Sequence, residues 1–167
     1  TISIGRLRVG AVPAARTPFP VQTLRVDGGS TESVTRRLAG LPGVTLSNQT
    51  GSPYQSDLRL RGFALSPIVG VPQGVSVFVD GVRVNEADAS QVHLSLIPGG
   101  AVDRVELLRG PVGAFGKNAL GGALNFVTAR GGEDTSVSVE AEGGSYGSVA
   151  GTVRAGGRRD AYDGFFA

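Results

Sequence analysis

Glycine most limits the structures open to this chain, which has 27 glycines and nine prolines in 167 residues. Glycine weakens regular elements and suits tight turns or close backbone approaches, while proline interrupts helices and central strands. The glycines lack the three-residue period of collagen. The length is enough for one domain with its own core, so we expect short elements joined by many turns.

The charged residues and the missing cysteines exclude several classes of function. Because the chain has no cysteine, it has no disulfides, no thiolate chemistry and no cysteine-based zinc site. The net charge is +2, and Lys117 is the only lysine, so arginine supplies the positive charge. The arginines are scattered without an accompanying pattern of aromatic residues, which argues against nucleic-acid binding.

Targeting signals are also missing from the sequence. No apolar run is long enough to span a bilayer as a helix, and no basic-then-apolar signal peptide begins at Thr1. We therefore expect either a protein that is not exported or a mature form whose signal has been removed.

The first half of the chain predicts an extended segment, a strand and a helix. Residues 1–20 contain Pro13, Pro18 and Pro20 and are expected to be extended, and residues 21–26 read as a short strand. A helix follows, because Val34, Leu38 and Leu41 fall at the spacing of one apolar helical face. Its end is predicted by three residues, namely Gly40, Pro42 and Gly43.

Alternation of apolar and polar residues predicts the strands of the middle region. Residues 57–63 read as one strand, and residues 75–84 read as a hairpin with a type I′ turn at Asp80-Gly81. Two further strands are predicted at 105–108 and 124–127. From residue 135 the composition changes, and residues 137–155 alternate small apolar and polar residues around a turn at 143–147. This pattern is typical of a membrane β-hairpin, and Phe165-Phe166 begins a third strand.

Several of these stretches together resemble one known family. They are Leu60-Arg61-Gly62-Phe63, the hairpin from Val77 to Val82, and the two segments 103–111 and 115–128, in the same order and spacing as in the family. Upstream, Leu41-Pro42-Gly43-Val44 also fits. Over residues 18–131 the chain resembles the plug domain of TonB-dependent outer-membrane receptors.

The resemblance implies an α+β plug, a small mixed sheet with short helices and long loops, inside an antiparallel barrel of about 22 strands. We expect an N-terminal extended segment at 1–20, a plug at 21–131 and the first, incomplete barrel strands at 132–167. Because such a barrel needs more than roughly 200 residues, the chain is expected to be a fragment, a truncated product or a piece of a longer receptor. The segment Thr1–Ile4 is either the strand that pairs with TonB or the flank after a missing TonB box, and the flank is favoured slightly.

The function implied is energy-coupled import through the outer membrane. The plug would close the pore, contact a small-molecule ligand such as a ferric siderophore, haem or cobalamin, and be pulled by the periplasmic protein TonB; other metal chelates and glycans fit as well. The alternative is a soluble periplasmic binding or signalling module without a barrel. No cofactor is expected. No catalytic or metal-binding constellation supports an enzyme, because His93 is the only histidine and the acidic residues lack EF-hand spacing.

Two groups of side chains are predicted to act. Charged contacts between plug and barrel are expected at Arg59, Arg61, Glu106 and Arg109, the last three by resemblance to the family; the alternative is an ordinary surface ion pair worth about 0–1 kcal/mol. Ligand contacts are expected in the loops 64–73, 85–90 and 115–119, which are otherwise plain turns. The side chains assigned to ligand contact are Arg61, Phe63, Asn85, Glu86, Phe115, Lys117 and Asn118.

Overall fold

A computed structural model gives the fold of residues 21–26, 31–48, 51, 57–66, 73–86, 91–111, 113–116, 119–160 and 162–167. Within these residues there is one α-helix, α1 (Thr31–Ala39), and eleven strands form three sheets. The strands are β1 (Val21–Arg25), β2 (Val44–Ser47), β3 (Asp57–Leu60), β4 (Phe63–Leu65), β5 (Val75–Val79), β6 (Val82–Arg83), β7 (Val102–Arg109), β8 (Gly122–Thr128), β9 (Ser136–Gly143), β10 (Val149–Arg159) and β11 (Tyr162–Phe166).

The largest sheet is mixed and has the order β1-β7-β8-β5-β6. Strands β5 and β8 pair in parallel, and the other neighbours pair antiparallel. The expected hairpin of β5 and β6 is present, and Asp80 and Gly81 both have positive φ, 48° and 83°, as a type I′ turn requires. Strands β7 and β8 are longer than the sequence pattern suggested, because their ends pair with each other beyond the apolar runs.

The two faces of this mixed sheet carry separate cores. One face joins the apolar side chains of β5, β7 and β8 to helix α1 and to the small sheet β2-β3-β4. The opposite face holds a smaller cluster that includes Phe78, Leu108 and Phe115. Alternate residues of β7 therefore point into different surroundings, which decides where its charged side chains lie.

Helix α1 forms on the predicted apolar stripe. Val34 and Leu38 are buried in the main core, and Leu41 packs against it from just beyond the last turn. The chain leaves the helix through Gly43, whose φ of 78° is the left-handed conformation that glycine adopts without steric cost. The next residue, Val44, begins β2 on the same core.

The predicted strand at 57–63 is wrong in one respect, because it is a hairpin. Strand β3 ends at Leu60, Arg61 and Gly62 form the turn with φ of 52° and 87°, and β4 starts at Phe63. Leu60 pairs with Phe63 across this two-residue turn. Alternation alone does not distinguish a strand from a hairpin whose tight turn preserves the alternation, and Gly62 was the signal for the turn.

The C-terminal sheet has the order β11-β10-β9 and contains the predicted hairpin at 137–155 and the third strand at Phe165-Phe166. One face is apolar and exposed, with Val139 and Val149 showing 74% and 83% of their surface to solvent. The other face carries Arg154, whose guanidinium contacts the turn before β7. No helix among the described residues is both long and apolar enough to cross a membrane.

Candidate functional site

Two arginines at the end of the mixed sheet where β7 finishes lie near enough for the charge of one to act on the other. Arg61 occupies the turn between β3 and β4, and its backbone N–H donates to the carbonyl oxygen of Gly43 at 2.8 Å. Arg109 is the last residue of β7 and is half-buried on the face that carries the main core. The backbone hydrogen bond of Arg61 and the place of Arg109 in the sheet fix the backbone positions from which the two side chains extend.

The guanidinium of Arg109 is only partly satisfied within this fold. Its Nε and Nη2 atoms are buried and make no hydrogen bond to any residue that the structure describes. Burial lowers the pKa of Arg109, and the positive charge of Arg61 lowers it further. A buried donor without a partner is costly, so this pair of cations has the chemistry to bind a carboxylate or another anion from outside the described residues.

Glu106 lies on the opposite face of the sheet from Arg109, because three residues separate them along β7. Its carboxylate accepts a hydrogen bond from Nδ2 of Asn125 at 3.0 Å and one from Nε of Arg104 at 3.1 Å, and its side chain is buried. Burial opposes the charge of Arg104, but hydrogen bonds to Glu106 and Asp103 outweigh it and raise the pKa of Arg104.

The predicted charged residues are therefore divided among three surroundings. Arg61 and Arg109 come together, Glu106 is enclosed by partners inside the chain, and Arg59 is exposed on β3. Contact of any of the four with a barrel stays a prediction. The side chain of Glu106 is buried, so the barrel could contact it only if the packing around it opened.

Phe63 is held in a slot between two glycines. A Cβ added at Gly74 would lie 2.3 Å from the Phe63 ring, and one added at Gly121 would lie 2.7 Å from it. The N–H of Gly121 donates to the carbonyl oxygen of Gly74 at 2.8 Å, which closes the slot. The side chain keeps 39% of its surface exposed, so Phe63 packs against the segments that precede β5 and β8 and still presents part of its ring outward.

Asn85 is used inside the sheet. Its Oδ1 accepts from the N–H of Val77 at 2.7 Å, and its Nδ2 donates to the carbonyl oxygen of Val75 at 3.2 Å. The side chain thus bonds to the edge of β5 where β6 has ended, and it is buried. Ligand contact by Asn85 stays a prediction, but both of its polar atoms already have partners.

The remaining predicted ligand contacts are spread over the surface and the smaller core. Glu86 is exposed, with Oε1 3.4 Å from Nε2 of His93. Phe115 is buried edge-on against Phe78, with ring centroids 6.1 Å apart. Lys117 and Asn118 lie outside the described residues, as does the segment 1–20. Among residues that the structure describes, no cluster of three or more acidic, histidine or cysteine side chains is placed to hold a metal ion.

Sequence reasoning missed three structural roles. Asn125 accepts a hydrogen bond from the N–H of Gly81 at 3.1 Å and donates one to Glu106 in β7. It therefore links the turn at Gly81 to β7. Gly74 and Gly121 give room to Phe63. Asn125 carried a weak signal, since a polar residue within an apolar strand needs a partner, but the glycines carried none because the chain is rich in glycine throughout.

Comparison with known proteins agrees with this architecture. The family profile of the TonB-dependent receptor plug domain matches residues 9–123. The ferric yersiniabactin uptake receptor of Yersinia pestis is 26% identical, with a TM-score of 0.63 over 87% of this chain and 22% of the receptor. The chain spans less than a quarter of that receptor.

Two more distant receptors share the fold. The alcaligin outer-membrane receptor of Bordetella pertussis is 22% identical, with a TM-score of 0.61 over 87% of this chain and 24% of that protein. The pyoverdine outer-membrane receptor of Pseudomonas aeruginosa is 20% identical, with a TM-score of 0.62 over 90% of this chain and 21% of that protein. These proteins are receptors rather than enzymes, and the mixed sheet with its single described helix matches their plug. The chain therefore belongs to the family of TonB-dependent receptor plug domains.

Proposed function

We propose that this chain is the plug and first barrel strands of an outer-membrane receptor that imports a scarce nutrient with energy delivered through TonB. The observation that carries the proposal is the C-terminal sheet. Its exposed face is lined by valines, and its other face bonds to the plug through Arg154. A strand with lipid on one side and a plug on the other needs this division of residues, whereas a soluble module does not.

The arginine pair supports a plug that is held by the barrel. Two buried nitrogens of Arg109 have no partner among the described residues, and Arg61 adds like charge nearby. Carboxylates on the inner barrel wall would satisfy both guanidinium groups, with the strength of charge-assisted hydrogen bonds and without a large apolar interface. We assign Arg61 and Arg109 to this contact, and Arg59 remains a further candidate because its side chain is exposed.

Ferric siderophores are the ligand class that we favour over haem and cobalamin. The solved receptors that resemble this chain are named for ferric yersiniabactin, alcaligin, pyoverdine and ferric preacinetobactin. Among the proposed ligand contacts, Arg61, Glu86 and the edge of Phe63 are exposed. Lys117 and Asn118 are proposed as further ligand contacts on the basis of the sequence alone.

The test uses the full-length receptor in a strain that lacks its other siderophore receptors. Cells are offered yersiniabactin, alcaligin and pyoverdine loaded with radioactive iron, with haem and labelled cobalamin as competing classes. We expect uptake of at least one siderophore that depends on TonB. A deletion of residues 1–20 should abolish uptake and retain binding at the cell surface. Uptake of none of the five compounds, or loss of binding in the deletion, would contradict the proposal.

The soluble alternative is separated by size and location. An antibody against this segment should detect an outer-membrane band far larger than 17.0 kDa that shifts when the sample is boiled. A band near that mass in the soluble fraction would favour the periplasmic module.

A further inference from the structure

One turn of the plug is bonded directly to the C-terminal sheet. The Nε of Arg154 in β10 donates to the carbonyl oxygen of Gly100 at 2.7 Å, and its Nη2 donates to that of Val102 at 3.3 Å. The guanidinium also lies 6.0 Å from the centroid of the Phe165 ring in β11. A charged donor shared between two carbonyl oxygens is stronger than a neutral hydrogen bond, so Arg154 fixes the start of β7 against β10.

The close approach of these elements depends on glycine. A Cβ at Gly100 would lie 2.9 Å from Cγ2 of Thr152, so a larger residue would push the turn away from β10. A second approach occurs where the chain leaves the plug. A Cβ at Gly131 would lie 2.2 Å from the carbonyl oxygen of Gly157 and 2.7 Å from that of Gly164. The backbone at Gly100 therefore packs on a side chain, and the backbone at Gly131 packs on backbone.

The space beside these contacts is not filled by apolar side chains. An open cavity of about 220 Å³ is lined by Asp103, Ser136, Ser138 and Phe165, among others, and has room for several water molecules. The attachment is thus local. We call Gly100, Val102, Thr152 and Arg154 the hairpin dock, because these four residues make the contacts between the start of β7 and β10.

The hairpin dock lies away from the end of the plug where the N-terminal segment enters. Val21, the first residue of β1, pairs with Leu108 near the far end of β7, whereas the dock holds the start of β7. Strand β1 is an edge strand that pairs only with β7 among the described strands. The turn before β7 is also held inside the plug, since the N–H of Ala129, just after β8, donates to the carbonyl oxygen of Ala101 at 2.8 Å.

We infer that the hairpin dock is the fixed attachment of the plug to the first barrel strands, and that it stays formed while β1 is displaced from the far end of β7. Arg154 is its positioning residue. The biological meaning of this attachment rests on the proposed function, because displacement of β1 matters only if the N-terminal segment is pulled. The order in which the two ends of β7 lose their structure is a property of the fold and is measured without transport.

The test measures the reaction of buried thiols in the purified full-length receptor in detergent, at increasing urea. Val21→Cys reports on β1 and Val102→Cys on the dock, since both valines are buried and this segment has no cysteine of its own. We expect Val21→Cys to react with a maleimide at lower urea than Val102→Cys. Adding Arg154→Gln should speed labelling of Val102→Cys about tenfold at fixed urea, because a charged hydrogen-bond donor is lost. Val105→Cys, which is also buried in β7, is the second reporter if Val102→Cys does not assemble.

The matched control is Arg158→Gln, which removes the same charge from an exposed position on the same strand and should leave the labelling rate unchanged. Equal urea dependence of the two thiols, or no effect of Arg154→Gln beyond that of Arg158→Gln, would overturn the inference. The assay contains neither ligand nor TonB, so its failure leaves the import proposal standing. Absence of uptake in the transport test, in turn, would not contradict the inference about the hairpin dock.

Discussion

Asn125 and Glu106 bind each other inside the mixed sheet, where Nδ2 of Asn125 donates to Oε2 of Glu106 at 3.0 Å and both side chains are buried. The other carboxylate oxygen accepts from Arg104, so the charge is satisfied on both sides. The bonds connect neighbouring strands, β7 and β8, and continue from Asn125 to the turn at Gly81.

Replacing Glu106 with glutamine should destabilise the plug by about 1–3 kcal/mol, because an amide accepts at only one of the two oxygen positions and leaves a buried donor unpaired. The measurement is the urea dependence of hydrogen exchange for β7 and β8 in the purified receptor. Glu133→Gln is the control at an exposed position and should change stability by less than about 0.5 kcal/mol. Equal effects of the two changes would show that the buried bonds contribute nothing net.

Arg109→Gln should loosen the plug in the receptor and raise leakage of vancomycin, a solute too large for general porins. The side chain has buried donors that find no partner within the described part of the chain, so we expect its partner on the barrel. Arg61→Gln should behave alike, and the double variant should be no leakier than the worse single one, since the two share one site. The exposed Arg130→Gln is the control. Unchanged vancomycin sensitivity would return both arginines to the class of ordinary surface charges.

Gly74→Ala and Gly121→Ala should each cost about 1–3 kcal/mol, because the added methyl group overlaps the ring of Phe63. In the Phe63→Ala background the same changes should cost less, and a double-mutant cycle from urea unfolding of the receptor measures the difference. Gly113→Ala is the control, since no atom of the described residues beyond its chain neighbours lies within 4 Å of a Cβ there. Additive costs would mean that the ring and the glycines do not constrain each other.

Replacing the buried Asn85 with aspartate should destabilise the receptor more than replacing its exposed neighbour, Glu86, with glutamine. The aspartate would place a carboxylate oxygen against the carbonyl oxygen of Val75, where the amide now donates, and the buried charge would cost a few kcal/mol. Thermal unfolding of the receptor reports this loss. If Asn85→Asp instead weakened ligand binding at unchanged thermal stability, Asn85 would be a ligand contact after all.

The exposed face of the C-terminal sheet should not tolerate charge. Val139→Lys would place an ammonium on the apolar face and should cost up to about 2–4 kcal/mol if that face meets lipid, whereas Glu140→Lys changes the other face and should be tolerated. The readout is the amount of heat-modifiable receptor in outer membranes. Equal yields for the two variants would show that the valine face is not in contact with lipid.

Patterns spread over several residues predicted the fold well, while single contacts were invisible in the sequence. Helix α1 and the turn at Asp80-Gly81 were both predicted, because apolar periodicity and turn chemistry are local properties. The tight turn at Arg61-Gly62 was missed, since it preserves the alternation that defines a strand. Pairing of β5 with β8 in parallel depends on distant residues and left no local sign.

The candidate site was predicted less completely for the same reason. Two sequence motifs identified Arg61 and Arg109 as candidates, but only the fold shows that the charge of Arg61 lowers the pKa of Arg109. Glu106 looked equivalent to Arg109 in the sequence, yet an odd separation along β7 places them on opposite faces. Arg154 had no distinguishing pattern among the scattered arginines, because its role depends on carbonyl groups more than 50 residues away in sequence.

A chain emerging in order from its N-terminus completes its main sheet late. The carboxylate of Asp80 bonds to Thr128, 48 residues further on, and β1 finds its partner only when β7 has appeared. Such distant pairings carry a large loop-closure cost and are slow to form. Strands β1 and β5 therefore wait with open edges until β7 and β8 arrive, so the early folding chain needs protection from aggregation that the finished plug does not.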